Sequence, residues 1–346
     1  MKAIRMYGIN DVRLEQLPVP QIAENEMLVR VRAASVCGTD VRMIRNGYNG
    51  IGEQSPRILG HELSGEIVKL GESVQGYTEG ERVTVAPNMG CGVCRQCVSG
   101  RTHLCAEYRA LGINTDGGFS EYVRIPAAAV AQGNVTRLPD SVSFEEAALN
   151  EPLSCAFNGM EQCNIRPGDS VLIIGAGPIG IMHAMLARLA GAGRVWVHDL
   201  SAERLACVKR IDEKLRTVCG DPKETVLSET GGEGADVVIT ACPSPAAQSL
   251  AVELCAIDGR VNFFGGIPAS AEPVPINTNL VHYRQLTLTG TTRASLSQFR
   301  RTLSFLADGV LNVRPLISGI YPIEAFGEAI RRAGAADGLK NIIVPG

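Results

Sequence analysis

Four cysteines within fifteen residues, Cys91-x2-Cys94-x2-Cys97-x7-Cys105, place four thiolates on one loop. Four thiolates close a tetrahedral Zn²⁺ shell and leave no position for a substrate, so the spacing predicts a structural zinc site. Gly90 and Gly92 relieve the backbone where the ligands converge, and Arg95 and Arg101 offset part of the negative charge. An iron–sulfur cluster would use the same ligands, but this spacing differs from the ferredoxin runs. A second set is dispersed: Cys37, then Gly60-His61-Glu62 twenty-four residues on, then Asn150-Glu151-Pro152. Thiolate, imidazole and one carboxylate give Zn²⁺ three ligands, approximate neutrality and an open fourth position for an alcohol oxygen. Taken singly, Cys37 also reads as a small buried hydrophobe and His61 as a hydrogen-bonded structural group. Glu151 also reads as an acid at a helix start. Cys155 competes with Glu151 as third ligand, and ligand chemistry favours Glu151. Glu62 could bind the metal in another state or hold its water. The expectation is two Zn²⁺ per chain, one structural and one catalytic.

Gly175-Ala176-Gly177-Pro178-Ile179-Gly180 follows the apolar run Val171–Ile174 and opens a predicted helix. In that context the glycines let a pyrophosphate approach a helix N-terminus. Asp199 ends the next predicted strand. Its carboxylate can accept from the adenine-ribose hydroxyls and would repel a 2′-phosphate, so NAD is expected rather than NADP. Arg204 could cover the adenine or pair with Asp199, and a 2′-phosphate contact is the competing reading.

A metal with an open position would lower the pKa of an alcohol hydroxyl, and hydride would pass to the nicotinamide. Thr39 is a candidate to take the hydroxyl proton, against a plain role in the turn after Cys37. Arg42 cannot finish such a relay, because a guanidinium is not a base. Arg42 and Arg45 are either a cationic edge for a substrate phosphate or carboxylate, or two solvated arginines on a helix. Arg293 follows the carboxyl end of a predicted strand, where ligands of open α/β sheets bind.

The elements that must carry these groups fall into two textures. Up to about residue 150, short alternating runs broken by Gly and Pro read as strands of a β-rich domain: Met27–Ala33, Leu63–Leu70, Arg82–Ala86 and Phe119–Ile125. From about 170, strand and helix alternate: strands at Ser170–Gly175, Arg194–Leu200, Asp236–Ala241, Arg260–Phe264 and Leu286–Gly290, helices at Ile179–Ala190 and Ser201–Ile211. Near-continuous apolar strands between helices predict a parallel sheet covered on both faces. Asp212–Gly234 reads ambiguously. A helix near Ser295–Ala307 and a strand Asn341–Val344 close the chain.

The 346 residues, 45% hydrophobic and 20% charged with a net charge of −3, predict about two globular domains. They offer no generic grip on nucleic acid or on an anionic membrane. No signal peptide or membrane span is read, and clustered cysteines without a secretory signal favour metal binding in the cytoplasm.

Together, Gly60-His61-Glu62, the cysteine loop, Asp116-Gly117-Gly118-Phe119-Ser120-Glu121-Tyr122 and the nucleotide fingerprint resemble the zinc-containing medium-chain dehydrogenase/reductase family over the whole chain. Glu151-Pro152 is similar to its polyol and threonine dehydrogenase branch. The resemblance implies a GroES-like catalytic domain at 1–150 and 294–346, and a Rossmann NAD-binding domain at 151–293 with the active site in the cleft. It further implies cofactor contacts at Ile179, Gly265, Gly266, Ile267, Thr291, Thr292 and Arg293, a substrate-side position for Arg293, and a homodimer or homotetramer. The chain departs from the family pattern at Arg42, where members commonly carry a relay histidine. It departs again at Met43 and Ala294, where sorbitol dehydrogenases tend to carry tyrosines. The expected activity is NAD-linked oxidation of a secondary hydroxyl of a polyol, sugar alcohol or sugar-alcohol phosphate or acid. The alternatives are L-threonine 3-dehydrogenation and, from another class, a non-catalytic NAD(H)-binding zinc protein.

Overall fold

The computed structural model describes residues 1–268 and 271–346, and the chain forms two compact units. The first is Met1–Ser154 with Arg293–Gly346, the second Cys155–Thr292. These limits fall four residues and one residue from the domain limits implied by the resemblance.

In the first unit, the strand Met27–Ser35 is the hub of a seven-stranded sheet. Antiparallel neighbours Glu62–Leu70 and Tyr122–Ile125 flank it, and the terminal strand Lys340–Val344 pairs near its end through Ile342↔Ser35 and Ile343↔Ala34. Hydrophobic burial holds the layers together. Met27, Val29, Leu63, Ile67, Phe119 and Ile343 are almost wholly buried in one cluster, and Phe119 meets Phe326 edge to face at 5.0 Å. The register Ser35↔Glu62 decides the chemistry, because it brings Cys37, two residues past one strand, to the same sheet end as His61, one residue before the other. Gly60 makes that approach possible: its φ is +93°, and a Cβ there would stand 2.9 Å from the Phe119 ring.

The second unit is a six-stranded, all-parallel sheet in the order Arg216–Cys219, Arg194–Asp199, Ser170–Ile174, Ala235–Thr240, Cys255–Phe263, Thr287–Gly290. In chain order this is 3-2-1-4-5-6, the doubly wound arrangement whose ligands bind at the carboxyl ends of the strands where the order reverses. The ambiguous segment resolves into the strand Arg216–Cys219 and the helix Pro222–Glu229. The strand expected at Arg260–Phe264 begins at Cys255 instead. Asp258-Gly259 reads as a turn, but Asp258 takes φ +59° within the strand, where the pairing register also shifts.

His183, on the helix Pro178–Leu189, is fully buried, and neither ring nitrogen meets a hydrogen-bond partner among the described residues. It lies edge-on to Phe264 at 4.7 Å. Burial pushes its pKa down to about 3, so the unfolded chain binds the extra proton between that value and the ordinary histidine pKa near 6.5. The resulting stability is complete above pH 6.5 and is lost as pH falls towards 3. His183→Leu is therefore expected to flatten the acid limb of stability by a few kcal/mol between about pH 4 and 7. Denaturant midpoints at both pH values check this, and parallel curves for the two proteins would contradict it.

Candidate active site

Cys37 precedes the helix Gly38–Asn46, and its backbone N–H donates to the Asp40 carboxylate at 2.9 Å. Asp40, fully buried, thus reaches back over the first turn to fix the backbone that carries the thiol. The ligand atoms of Cys37, His61 and Glu62 lie within 4.8 Å of one another. His61 is 5% exposed and Glu62 wholly buried. His61 Nδ1 stands 3.7 Å from Asp40, too far for a hydrogen bond. Glu62 offers one oxygen to the Lys340 ammonium at 2.5 Å, and Lys340 also donates to the Val36 carbonyl at 2.9 Å. The other Glu62 oxygen and His61 Nδ1 are buried without a hydrogen-bond partner among the described residues.

Such orphaned polar atoms are costly unless something binds them. Burial alone would lower the pKa of both His61 and Lys340. The thiol of Cys37 and the surrounding carboxylates, Glu151 among them, overcome that and hold both groups above their ordinary values. The cluster is therefore a buried well of negative potential, and its donor set fits a divalent ion. Zn²⁺ together with Lys340 would match the charges of Cys37, Glu62 and Glu151.

Glu151, 8% exposed in the first turn of the helix Asn150–Cys163, lies near enough for its charge to reach His61 and Lys340. It is not among the three residues whose ligand atoms converge. Sequence reasoning missed Lys340 and Asp40. Asp40 carried a local signal, an acid three residues after a helix-capping position. Lys340 carried none, since its partner is 278 residues away.

Thr39 is half-buried, and its hydroxyl oxygen accepts from Arg42 at 3.1 Å. Arg45 donates to the Gly334 carbonyl at 2.9 Å, so of the two expected cationic residues Arg45 is tied into the fold.

The four loop sulfurs also lie within 4.8 Å of one another, with Cys94–Cys97 at 3.5 Å, Cys94–Cys105 at 3.8 Å and Cys91–Cys97 at 4.0 Å. Four sulfurs about 2.3 Å from a tetrahedral ion stand roughly 3.8 Å apart, so the loop already has the dimensions of a zinc–thiolate site. A Cβ at Gly90 would stand 2.4 Å from the Cys97 sulfur, which explains the bare backbone there.

In the second unit, Gly175 takes φ +114°, and a Cβ on Gly180 would lie 1.8 Å from the Gly175 carbonyl oxygen. Gly177 and Pro178 begin the helix Pro178–Leu189. Asp199 accepts from Ala176 N and Ser201 N, both at 2.8 Å, which leaves each oxygen a further lone pair. Arg204 stands 4.0 Å from Asp199. Gly265 packs so closely on Cys242 that a Cβ would meet its carbonyl oxygen at 2.3 Å. Gly266 is exposed and Ile179 and Ile267 half-buried, while Thr291 donates to Asn262 at 3.2 Å and the Thr292 carbonyl accepts from Asn158 at 3.5 Å. Arg293 is half-buried, with φ +57°.

A doubly wound parallel sheet with a glycine fingerprint, a four-thiolate loop and a Cys–His–Glu cluster are the parts that a metal-dependent, dinucleotide-linked oxidoreductase requires. Residues 23–140 match the alcohol dehydrogenase GroES-like domain and residues 178–308 the zinc-binding dehydrogenase domain. The chain is 33% identical to the sorbitol dehydrogenase of Bacillus subtilis, over 96% of this chain and 93% of that protein. It is also 33% identical to the L-threonine 3-dehydrogenase of Bacillus velezensis, over 96% and 95%. A Sinorhizobium meliloti structure described as a zinc-binding dehydrogenase bound to NADP superposes with a TM-score of 0.91 at 30% identity, covering 99% of both chains. The chain belongs to the zinc-binding alcohol dehydrogenase family, and it is a dehydrogenase.

Proposed function

We propose that this protein oxidises a secondary hydroxyl of a small polyol, sugar alcohol, or sugar-alcohol phosphate or acid to the ketone, with NAD as acceptor. The observation that carries this reading is the convergence of Cys37, His61 and Glu62 beside the buried Lys340, with the charge of Glu151 close by. The reading assigns two ions per chain, one to each cluster, and the convergence of ligand atoms in both supports it. Cys91, Cys94, Cys97 and Cys105 would hold the structural one. Cys37 and His61 would hold the catalytic one, with Glu151 or Glu62 as carboxylate. When bound, Zn²⁺ supplies Lewis acidity to the substrate hydroxyl and NAD accepts the hydride.

The chain's own residues handle orientation and the proton. Arg42 occupies one acceptor site of the Thr39 oxygen and thereby turns the Thr39 hydroxyl hydrogen away from itself. The remaining lone pair of Thr39 can then accept the substrate O–H, taking its proton as the Thr39 hydrogen passes on to water, while the guanidinium takes none. Lys340 keeps Glu62 turned to one side, so its second oxygen faces the ligand set. The nucleotide would lie along Gly175, Gly177, Pro178, Ile179 and Gly180, with Asp199 on the adenine ribose, Arg204 beside it, and Gly265–Ile267 and Thr291–Arg293 toward the nicotinamide.

An NAD-reduction screen over polyols, sugar phosphates, aldonates and threonine tests the substrate class. Turnover of a polyol is expected. Threonine as the preferred substrate would instead support the second reading, which the equal identity to a threonine dehydrogenase favours. Preference for the phosphorylated or acidic form, lost in Arg42→Ala, is the outcome expected if Arg42 reads an anion. Asp199→Ser is expected to shift the NADP/NAD preference by about 10–100-fold towards NADP, because a like charge opposite the 2′-phosphate costs several kcal/mol. An unchanged preference would remove Asp199 from that role. All eleven cysteines are free, and among the described residues no helix is long and apolar enough to cross a membrane. A cytoplasmic homodimer or homotetramer acting on small molecules is proposed on the family resemblance alone.

A further inference from the structure

Arg293 is held in an unusual way. Its left-handed backbone costs about 1–3 kcal/mol for a residue with a Cβ and persists only where the surroundings impose it. Its guanidinium carbon sits 3.6 Å from the centre of the Tyr108 ring, and its Nη1 donates to the His103 carbonyl at 2.8 Å. Tyr48 lies close enough that Tyr108 and Arg293 both act on its phenol.

His103 lies within the cysteine loop, and Tyr108 follows its last cysteine by three residues. His103 lies in the single turn Thr102–Leu104, between Cys97 and Cys105. The Cys105 N–H closes that turn on the Thr102 carbonyl at 3.1 Å, and the Tyr108 N–H donates to the Cys105 carbonyl at 3.2 Å. Whatever fixes Cys105 therefore fixes the carbonyl and the ring that clamp Arg293.

We propose that the four-cysteine loop, beyond holding its own metal, positions Arg293 for recognition of the polar substrate, with Tyr108 and the His103 carbonyl as positioning groups. The recognition half rests on the function proposed above; the clamp stands on its own. Loss of order in the loop then loosens Arg293 without touching Cys37, His61 or Glu62.

Two readouts separate these halves. The first needs no turnover: phenylglyoxal modification of Arg293 in the zinc-replete protein, mapped by peptide mass. Tyr108→Leu is expected to accelerate it by about 3–30-fold, the range of a lost cation–π contact, and Tyr108→Phe, which keeps the ring, to leave it within twofold. Cys105→Ser, which opens the loop site and leaves Cys37, His61 and Glu62 in place, should accelerate it similarly. Wild-type modification rates in both Tyr108→Leu and Cys105→Ser would overturn the clamp. The second readout is kinetic, on the best alcohol from the screen. Tyr108→Leu should raise KM by about 3–30-fold with kcat within twofold, and add nothing in an Arg293→Met background. A fall in kcat at constant KM, or additive effects with Arg293→Met, would overturn the recognition role. Failure of the wild-type protein to oxidise any alcohol would count against the proposed function and leave the modification result to decide the clamp.

Discussion

His61→Ala is expected to remove one of two zinc ions per chain and to lower kcat/KM by about 10³–10⁴, while the loop ion stays in place. The size follows from what an open-site cation supplies: several kcal/mol of charge stabilisation on the reacting oxygen, at about 1.4 kcal/mol per tenfold in rate. The imidazole is buried within reach of the charges of Cys37, Asp40 and Glu151, and its Nδ1 has no hydrogen-bond partner among the described residues. Truncation leaves Cys37 and Glu62 facing each other with one neutral donor fewer. Cys91→Ser should give the converse result, with loss of the loop ion and of stability. Metal content and steady-state kinetics on the same preparations check both. Full metal content in His61→Ala would remove that residue from the ligand set.

Lys340→Met carries the second large effect. Lys340 is 4% exposed, and among the described residues the fully buried Glu62 has no other counter-charge within hydrogen-bonding distance. Breaking a buried pair by removing one partner leaves an uncompensated charge, at a cost of about 3–5 kcal/mol. A group that orients a metal-site carboxylate typically contributes about 10–100-fold in metal affinity or activity. Lys340→Met should therefore lose both stability and activity. Lys340→Met combined with Glu62→Gln should regain much of the stability and none of the activity. Denaturant unfolding of both variants beside the wild type decides this. A double variant no more stable than Lys340→Met would show that the stability loss comes from packing and not from the orphaned carboxylate.

These two residues also mark how far the site was legible in the sequence. The cysteine loop and the glycine fingerprint are local patterns, and backbone turns bring their atoms together, so spacing was enough to read them. Cys37 and His61 were readable by type alone. What joins them is the Ser35↔Glu62 register, a consequence of sheet packing that no spacing encodes. Lys340 lies just outside the predicted strand Asn341–Val344 and drew no reading, because an ion pair spanning 278 residues leaves no local trace. The parallel sheet covered on both faces followed from alternating apolar strands and helices, but its order 3-2-1-4-5-6 did not, and Asp258-Gly259 hid the first half of the strand Cys255–Phe263 behind a turn-like dipeptide. Arg42 and Arg45 looked equivalent in sequence. Only the fold separates them, tying Arg45 to Gly334 and setting Arg42 against Thr39.

The central claim is that widely separated segments bring a soft, open metal site together in the first unit, apart from the closed one. X-ray diffraction of the zinc-replete protein at the zinc absorption edge tests it directly. Two anomalous peaks are expected, one amid the four loop sulfurs and one within bonding distance of Cys37, His61 and a carboxylate of Glu62 or Glu151. A single peak confined to the cysteine loop would contradict it.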